Sequence, residues 1–236
     1  MKNGKKAARI FAWVLFALSA LTALYHAYGL VVGGLNSIYP ALRIGFGVAL
    51  PAVAGAVLYV ISEDADAARR RAVRTVLVCL FAFYLLALLT SLFFGRIDFT
   101  DYAGQRAYYF TNLDLMTNFV PGETILLYLR ALKYHYVGTG VSLSNLLGNV
   151  FLFMPMGFFL PCLFAAMRRW WKFLLLMVAL LCAVEAMQLI LCCGSCDVDD
   201  VLLNLSGALA VYFLLRLPRV RRMLGRLLLL PAEASA

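Results

Sequence analysis

Carboxyl and carboxamide side chains recur at short spacing in the apolar C-terminal half of the chain. Glu185 and Gln188 are three residues apart, which places both on one face of a helix. An acidic turn follows at residues 197–200, and Asn204 comes one helical turn later. Ionisable groups within apolar segments are costly, so each is a functional candidate. We predict a shared polar cavity whose members are Asn145, Asn149, Glu185, Gln188, Asp197, Asp199, Asp200 and Asn204.

Two kinds of chemistry fit these residue types. Glu185 could act as a general acid or base. Asp197, Asp199 and Asp200 could hold Mg²⁺ or Ca²⁺ through hard oxygen ligands, and such an ion would attract a lipid pyrophosphate. Structural roles are the alternative: an aspartate that caps the next helix, or asparagines that join helices inside the membrane. No other cofactor is predicted.

Three cysteines lie beside the acidic turn, at Cys192, Cys193 and Cys196. The last two have C-x-x-C spacing, which is compatible with a disulfide or, less well, with zinc, because a second pair of ligands is missing nearby. We expect unpaired packing instead.

The composition indicates a membrane protein. Of the 236 residues, 64% are hydrophobic and 14% are charged, against about 45–50% and about 25% in soluble domains. The contents of Gly, Pro and Cys are ordinary for this length, which excludes collagen-like and disulfide-scaffold classes. One polytopic membrane domain is therefore the expected class.

The apolar runs predict an all-α fold with about six transmembrane helices. Each run is long enough to cross a bilayer and lacks the alternation of a barrel strand. The predicted spans are 10–32, 44–62, 75–94, 146–167, 173–193 and 201–217. A shorter amphipathic segment, 124–136, is expected to lie at the membrane interface.

The positions of the cations predict the orientation. Most of the 21 Lys and Arg residues fall before span one, between two and three, between four and five, and after six. Such loops stay in the cytoplasm, so both termini should be cytoplasmic and the polar cavity should face outward. The net charge of +9 is then an orientation signal, and a nucleic-acid partner is not expected. The predicted organisation is a helix pair at 1–74, a membrane domain at 75–217 and a basic cytoplasmic tail at 218–236.

The C-terminal 60% of the chain resembles the VanZ-like family of bacterial membrane proteins. The resemblance lies in NLLGNVFLFMPMGFFLP at 145–161, in E-x-x-Q followed by D-V-D-D-x-x-x-N-x-x-G at 185–207, and in NFVPGETI at 118–125. The matching residues are Asn145, Gly148, Asn149, Pro155, Gly157, Glu185, Gln188, Asp197, Asp199, Asp200, Asn204 and Gly207.

The resemblance implies a multi-pass protein of the bacterial cytoplasmic membrane, associated with resistance to teicoplanin, a lipid-tailed glycopeptide. A non-enzymatic role is favoured, in which the cavity binds or shields an envelope-located ligand. The partners implied are the bilayer and either a glycopeptide antibiotic or a lipid-linked cell-wall precursor. The alternative is a membrane enzyme acting on such a precursor, with Glu185 as acid or base. Many family members are expected to carry an arginine before D-x-D-D, where this chain has Gly194, Ser195 and Cys196.

Overall fold

The protein is nearly all-α, as its apolar runs predict. The computed structural model describes residues 2–32, 39–61, 65–94 and 96–226, with the side chains of 2–4, 7, 22–48, 62–68 and 226 outside that description. Two-residue strands β1 (Thr117–Asn118) and β2 (Cys196–Asp197) are the strands of the described part. Its α-helices are α1 (Lys2–Val32), α2 (Tyr39–Ile61), α3 (Ala65–Leu89), α4 (Tyr102–Thr111), α5 (Glu123–Tyr134), α6 (Thr139–Leu152), α7 (Met154–Leu163), α8 (Trp170–Ile190), α9 (Val198–Leu214) and α10 (Pro218–Arg226).

The chain divides into two compact units. The first contains the residues up to Thr90 and those from Leu217 onward; the second is Ser91–Arg216. In the first unit, α1, α2 and α3 pack around a small core that includes Ala12, Phe16 and Ala54. The domain boundaries predicted from the sequence remain a prediction.

Helix α9 is the centre of the second unit, where it contacts α6, α7 and α8. Small residues permit this close packing. A Cβ on Gly207 would collide with the carbonyl oxygen of Val150, and a Cβ on Gly157 would collide with that of Ala208. Near the other end of α9, the buried Tyr212 ring stacks on Phe173 at a centroid distance of 4.4 Å.

The predicted fourth span is divided into two helices. Helix α6 ends at Leu152 and α7 begins at Met154, so the break falls at Phe153, just before Pro155. Proline lacks a backbone N–H and fits the first turn of a helix, which explains why α7 begins here. Pro161, by contrast, lies inside α7.

Within the described ranges, three helical segments are long and apolar enough to cross a membrane: Arg69–Phe94, Thr139–Leu163 and Trp170–Ile190. A fourth candidate is the broken pair Val198–Leu214 and Pro218–Gly225. Shorter apolar helical segments lie at Ala8–Leu21 and Ala49–Ile61. The total of six spans and the cytoplasmic termini remain predictions. Helix α10 covers the start of the predicted basic tail, and residues 227–236 lie outside the described part.

Candidate functional site

The acidic turn between α8 and α9 is tied to the segment that precedes α5. Strands β1 and β2 pair in parallel, with Thr117 opposite Cys196 and Asn118 opposite Asp197. The backbone N–H of Cys196 also donates to the carbonyl of Met116 at 2.8 Å. This pairing places the NFVPGETI segment against the D-V-D-D turn, although about 75 residues separate them in the sequence.

Asp197 is the N-cap of α9 and a junction between the two segments. Its Oδ1 accepts from the backbone N–H of Asp199 at 2.8 Å and from Asn118 Nδ2 at 3.0 Å. Its Oδ2 accepts from Thr124 Oγ1 at 2.6 Å. The residue is 6% exposed. Both carboxylate oxygens therefore already have protein donors.

Asp199 caps a different helix from the one on which it lies. Its Oδ1 accepts from the N–H of Gly122 at 2.6 Å and its Oδ2 from the N–H of Ile125 at 3.0 Å. Gly122 is the N-cap position of α5, has a positive φ of 90° and has no side chain to cap the helix. The fully buried Asp199 carboxylate supplies that function and complements the positive end of the α5 dipole.

Asp200 faces α6. Its Oδ1 accepts a short hydrogen bond from Asn149 Nδ2, and its backbone oxygen accepts from Asn204 Nδ2 at 2.7 Å. The other end of the Asn204 amide is different: its Oδ1 is buried and has no hydrogen-bond partner within the described part of the chain. A buried unsatisfied acceptor is destabilising, so this atom is a place for a ligand donor or a water molecule.

Glu185 is 6% exposed and lies behind the acidic turn. Its Oε2 accepts from the backbone N–H of Asp197 at 3.0 Å. Among the described residues, no hydrogen bond involves its Oε1. The carboxyl is thus held in position through one oxygen, which leaves the second available.

Two predicted members of the cavity are engaged elsewhere. Gln188 is buried and donates from Nε2 to the carbonyl of Leu92 at 3.1 Å, within the π-helical turn Thr90–Phe94 that extends α3. A π-helical turn departs from the regular i to i−4 pattern, and Gln188 provides a donor for its carbonyl. Asn145 is exposed and bonds to the carbonyl of Val141 in its own helix at 2.9 Å. The structure brings the other six predicted residues together: Asn149, Glu185, Asp197, Asp199, Asp200 and Asn204.

A cation that the sequence did not single out lies beside the turn. A Cβ on Gly194 would be 3.2 Å from Nη1 of Arg96, and the charge of Arg96 acts favourably on the carboxyls of Glu185 and Asp200. Gln105 holds the backbone here, since its Nε2 donates to the carbonyls of Arg96 at 2.9 Å and Cys192 at 2.8 Å. Arg96 thus brings a positive charge to a turn that contains no arginine.

Two further residues escaped the prediction, Thr124 and Tyr128. The only sequence signal for either was the resemblance at 118–125, which includes Thr124. Burial raises the pKa of Tyr128, and the negative charges of Asp200 and Asp197 raise it further. Tyr128 itself is half-buried on α5.

The cysteines beside the turn are free thiols, as are the other three. Cys192 is buried and adopts a left-handed conformation with φ 53°, just beyond the end of α8. Burial raises the pKa of the Cys193 thiol, an effect that Arg96 partly offsets. Within the described residues, no group of three or more His, Cys, Asp or Glu side chains is arranged to hold a metal ion. The carboxylates of Asp197 and Asp199 instead bind protein donors.

Comparison with known proteins gives one clear result. Residues 81–219 match the family described as VanZ/LLP1, which is more than half of the chain and contains every residue of the site. No significant match was found among curated proteins or among solved structures. The helices that could span a membrane and the family match agree on the class of protein. This chain is a membrane protein of the VanZ/LLP1 family.

Proposed function

We propose that this VanZ-like protein binds an amphipathic, envelope-located ligand at the polar site around Glu185 and thereby lowers susceptibility to teicoplanin. The observation that carries the proposal is the second oxygen of Glu185. It belongs to a buried carboxyl whose first oxygen is already held by the N–H of Asp197. A group fixed in this way is prepared to accept a hydrogen bond from a ligand.

The neighbouring groups support a polar head group as the part of the ligand that is recognised. Asn204 Oδ1 offers a second unpartnered acceptor, and the exposed Arg96 offers a cation. Acceptors of this kind suit hydroxyl, amide or ammonium donors, while Arg96 suits an anionic group. Glycopeptides and lipid-linked cell-wall precursors carry such groups together with an apolar part.

The proposal requires the site to face outward from the bacterial cytoplasmic membrane. The cation distribution supports this orientation, because Arg168, Arg169 and Lys172 lie at the start of α8, whereas the acidic turn follows the end of that helix. Single cysteines at 145 and 169, in a background without the native cysteines, test it. A membrane-impermeant thiol reagent should label Asn145→Cys in intact cells and Arg169→Cys only after lysis. The reverse pattern would exclude an outward site.

Susceptibility measurements test the function itself. Expression in a susceptible Gram-positive host should raise the inhibitory concentration of teicoplanin more than that of vancomycin, since only teicoplanin carries a lipid tail. Glu185→Gln keeps the side-chain shape and should abolish the effect. Asn145→Ala is the matched control, because Asn145 is exposed and bonds only within its own helix. Equal phenotypes for wild type and Glu185→Gln, at equal abundance in the membrane, would refute the proposal.

A membrane enzyme acting on a lipid-linked precursor is the second candidate. The same free oxygen favours it, because a general acid or base needs an atom that can exchange a proton with the substrate. Mass spectrometry of envelope lipids from cells with and without the protein separates the two. An enzyme leaves a modified lipid that is missing with Glu185→Gln, whereas a binding protein leaves the lipid composition unchanged.

A further inference from the structure

A second polar feature lies in the first unit. A pocket of about 420 Å³ opens where α1 begins, α2 ends and α3 begins. Arg9 and Arg71 line it together with Trp13 and Thr75. Among the described residues no carboxylate lines the pocket. The pocket therefore places two cationic side chains around one open space.

The wall of this pocket has a cationic part and an apolar part. Leu58 and Ile61, from the last turn of α2, add an apolar surface beside the two guanidinium groups. Arg69 shows the contrast: its guanidinium lies over the Tyr59 ring at 5.1 Å from the centroid, so it is already engaged within the protein. Arg9 and Arg71 face the pocket instead.

The position of the pocket matches the edge of a bilayer. It lies at the end of the helices that carries the cation clusters, which is the cytoplasmic end according to the distribution of Lys and Arg. Trp13 is of the type that concentrates at the membrane interface. The cytoplasmic leaflet is also anionic, and basic pockets between helices on that side suit phosphate head groups.

We propose that this pocket binds the head group of an anionic phospholipid of the inner leaflet. The guanidinium groups of Arg9 and Arg71 take the phosphodiester, for which arginine has suitable paired donors. The Thr75 hydroxyl already donates to the carbonyl of Arg71 at 3.0 Å, so it lines the pocket without binding the phosphate. Leu58 and Ile61 contact the glycerol and the start of the acyl chains. A free phosphate ion would use the cations but gain nothing from the apolar wall.

Tryptophan quenching by brominated lipids tests the proposal. The chain has three tryptophans, so Trp170→Phe with Trp171→Phe leaves Trp13 as the reporter. In nanodiscs, phosphatidylglycerol with brominated acyl chains should quench Trp13 with a preference of about tenfold over brominated phosphatidylcholine. If the two lipids quench Trp13 equally, the proposal is overturned, and no arginine variant is needed for that conclusion.

Arginine variants and added phosphate complete the test. Arg9→Gln with Arg71→Gln should remove the preference for the anionic lipid. Arg169→Gln with Arg219→Gln makes the same change in net charge at exposed positions and should leave the preference intact. Inorganic phosphate at constant ionic strength should not displace the lipid. A lipid site would be contradicted if the Arg9 and Arg71 variant kept the preference, or if the Arg169 and Arg219 variant lost it. Displacement of the lipid by phosphate alone would contradict it as well.

Discussion

Asp199 Oδ2 accepts a hydrogen bond of 3.0 Å from the backbone N–H of Ile125, a residue 74 positions earlier in the chain. Its other oxygen accepts from the N–H of Gly122 at 2.6 Å. One carboxylate thus replaces the capping side chain that the start of α5 lacks. It also fixes α5, which carries Thr124, against α9.

Removal of this carboxylate should destabilise the second unit. Asp199→Ala leaves two part-buried N–H groups without acceptors and should lower the free energy of unfolding by about 3 kcal/mol. Asp199→Asn retains one acceptor oxygen and should cost less. Unfolding in mixed micelles with increasing SDS measures both. The exposed Asp114→Ala should change stability by about 0.5 kcal/mol or less. An equally small effect of Asp199→Ala would show that the cap is not structural.

Two glycines in the segments that resemble the family should differ in how substitution by alanine changes the stability of the protein. A methyl group on Gly207 would collide with the carbonyl oxygen of Val150, whereas nothing lies within 4 Å of the corresponding position on Gly148. Gly207→Ala should therefore destabilise the protein by about 1–3 kcal/mol through overpacking. Gly148→Ala should be neutral or stabilise by about 0.5–1 kcal/mol, because alanine favours the helix. Micelle unfolding of the two variants side by side checks this, and a shared sign would contradict the packing described for α6 and α9.

The loop before α4 should contribute stability that depends on pH. The side-chain and backbone donors of Thr100, with the N–H of Asp101, lower the pKa of the exposed Asp98. A carboxyl with a lowered folded-state pKa stabilises the fold above its unfolded pKa of about 3.9. That contribution is lost as the pH falls through the folded-state value.

Thermal unfolding of Asp98→Asn at several pH values tests this sign. The variant should melt below the wild type at pH 7, and the difference should shrink once the pH falls below about 4. Asp114→Asn, another exposed position, provides the control for a general loss of negative charge. A constant difference at all pH values would mean that the loss does not come from ionisation of Asp98.

The Cys196 thiol should be a poor nucleophile at neutral pH. Burial raises its pKa above the ordinary value, and the nearby carboxyls of Glu185 and Asp197 raise it further. The thiolate is the form that reacts with N-ethylmaleimide. Alkylation should therefore be slow at pH 7, and its rate should rise only at a higher pH than the rate for a free thiol does. A variant in which Cys196 is the only cysteine permits the measurement, with SDS-denatured protein as the reference. If the alkylation rate depends on pH in the same way in folded and denatured protein, the prediction for Cys196 is refuted.

Residue spacing predicts which side chains share a helix face, but not the hydrogen-bond partner of each side chain. The spacing of Glu185 and Gln188 correctly implies a shared helix face, yet Gln188 bonds to Leu92 while Glu185 supports the acidic turn. Spacing cannot separate these outcomes, because each depends on which neighbouring helix offers a donor or an acceptor. Asn145 illustrates the same point: it lies one turn from Asn149, but only Asn149 reaches Asp200.

Sequence spacing does not place Arg96 at the site, for a related reason. It follows the apolar end of the third predicted span and reads as one of the few cations on the outer side. Only the folding of the second unit brings its guanidinium beside Gly194. That approach depends on Gln105, which holds the backbone of Arg96 and Cys192 together.

The sequence alone determined the class of the protein, the helical fold, the approximate limits of its apolar helices and the family. These properties follow from hydropathy and from motifs within about twenty consecutive residues. Over that length, a helix satisfies its own backbone hydrogen bonds, so the local sequence is sufficient to predict it. Only the tertiary structure decided that Asp199 caps α5, that Asp197 joins β1 to β2, and that Asn204 keeps an unpartnered acceptor. A hydrogen bond acts over about 3 Å, so its partner depends on where distant segments meet and not on their order in the chain.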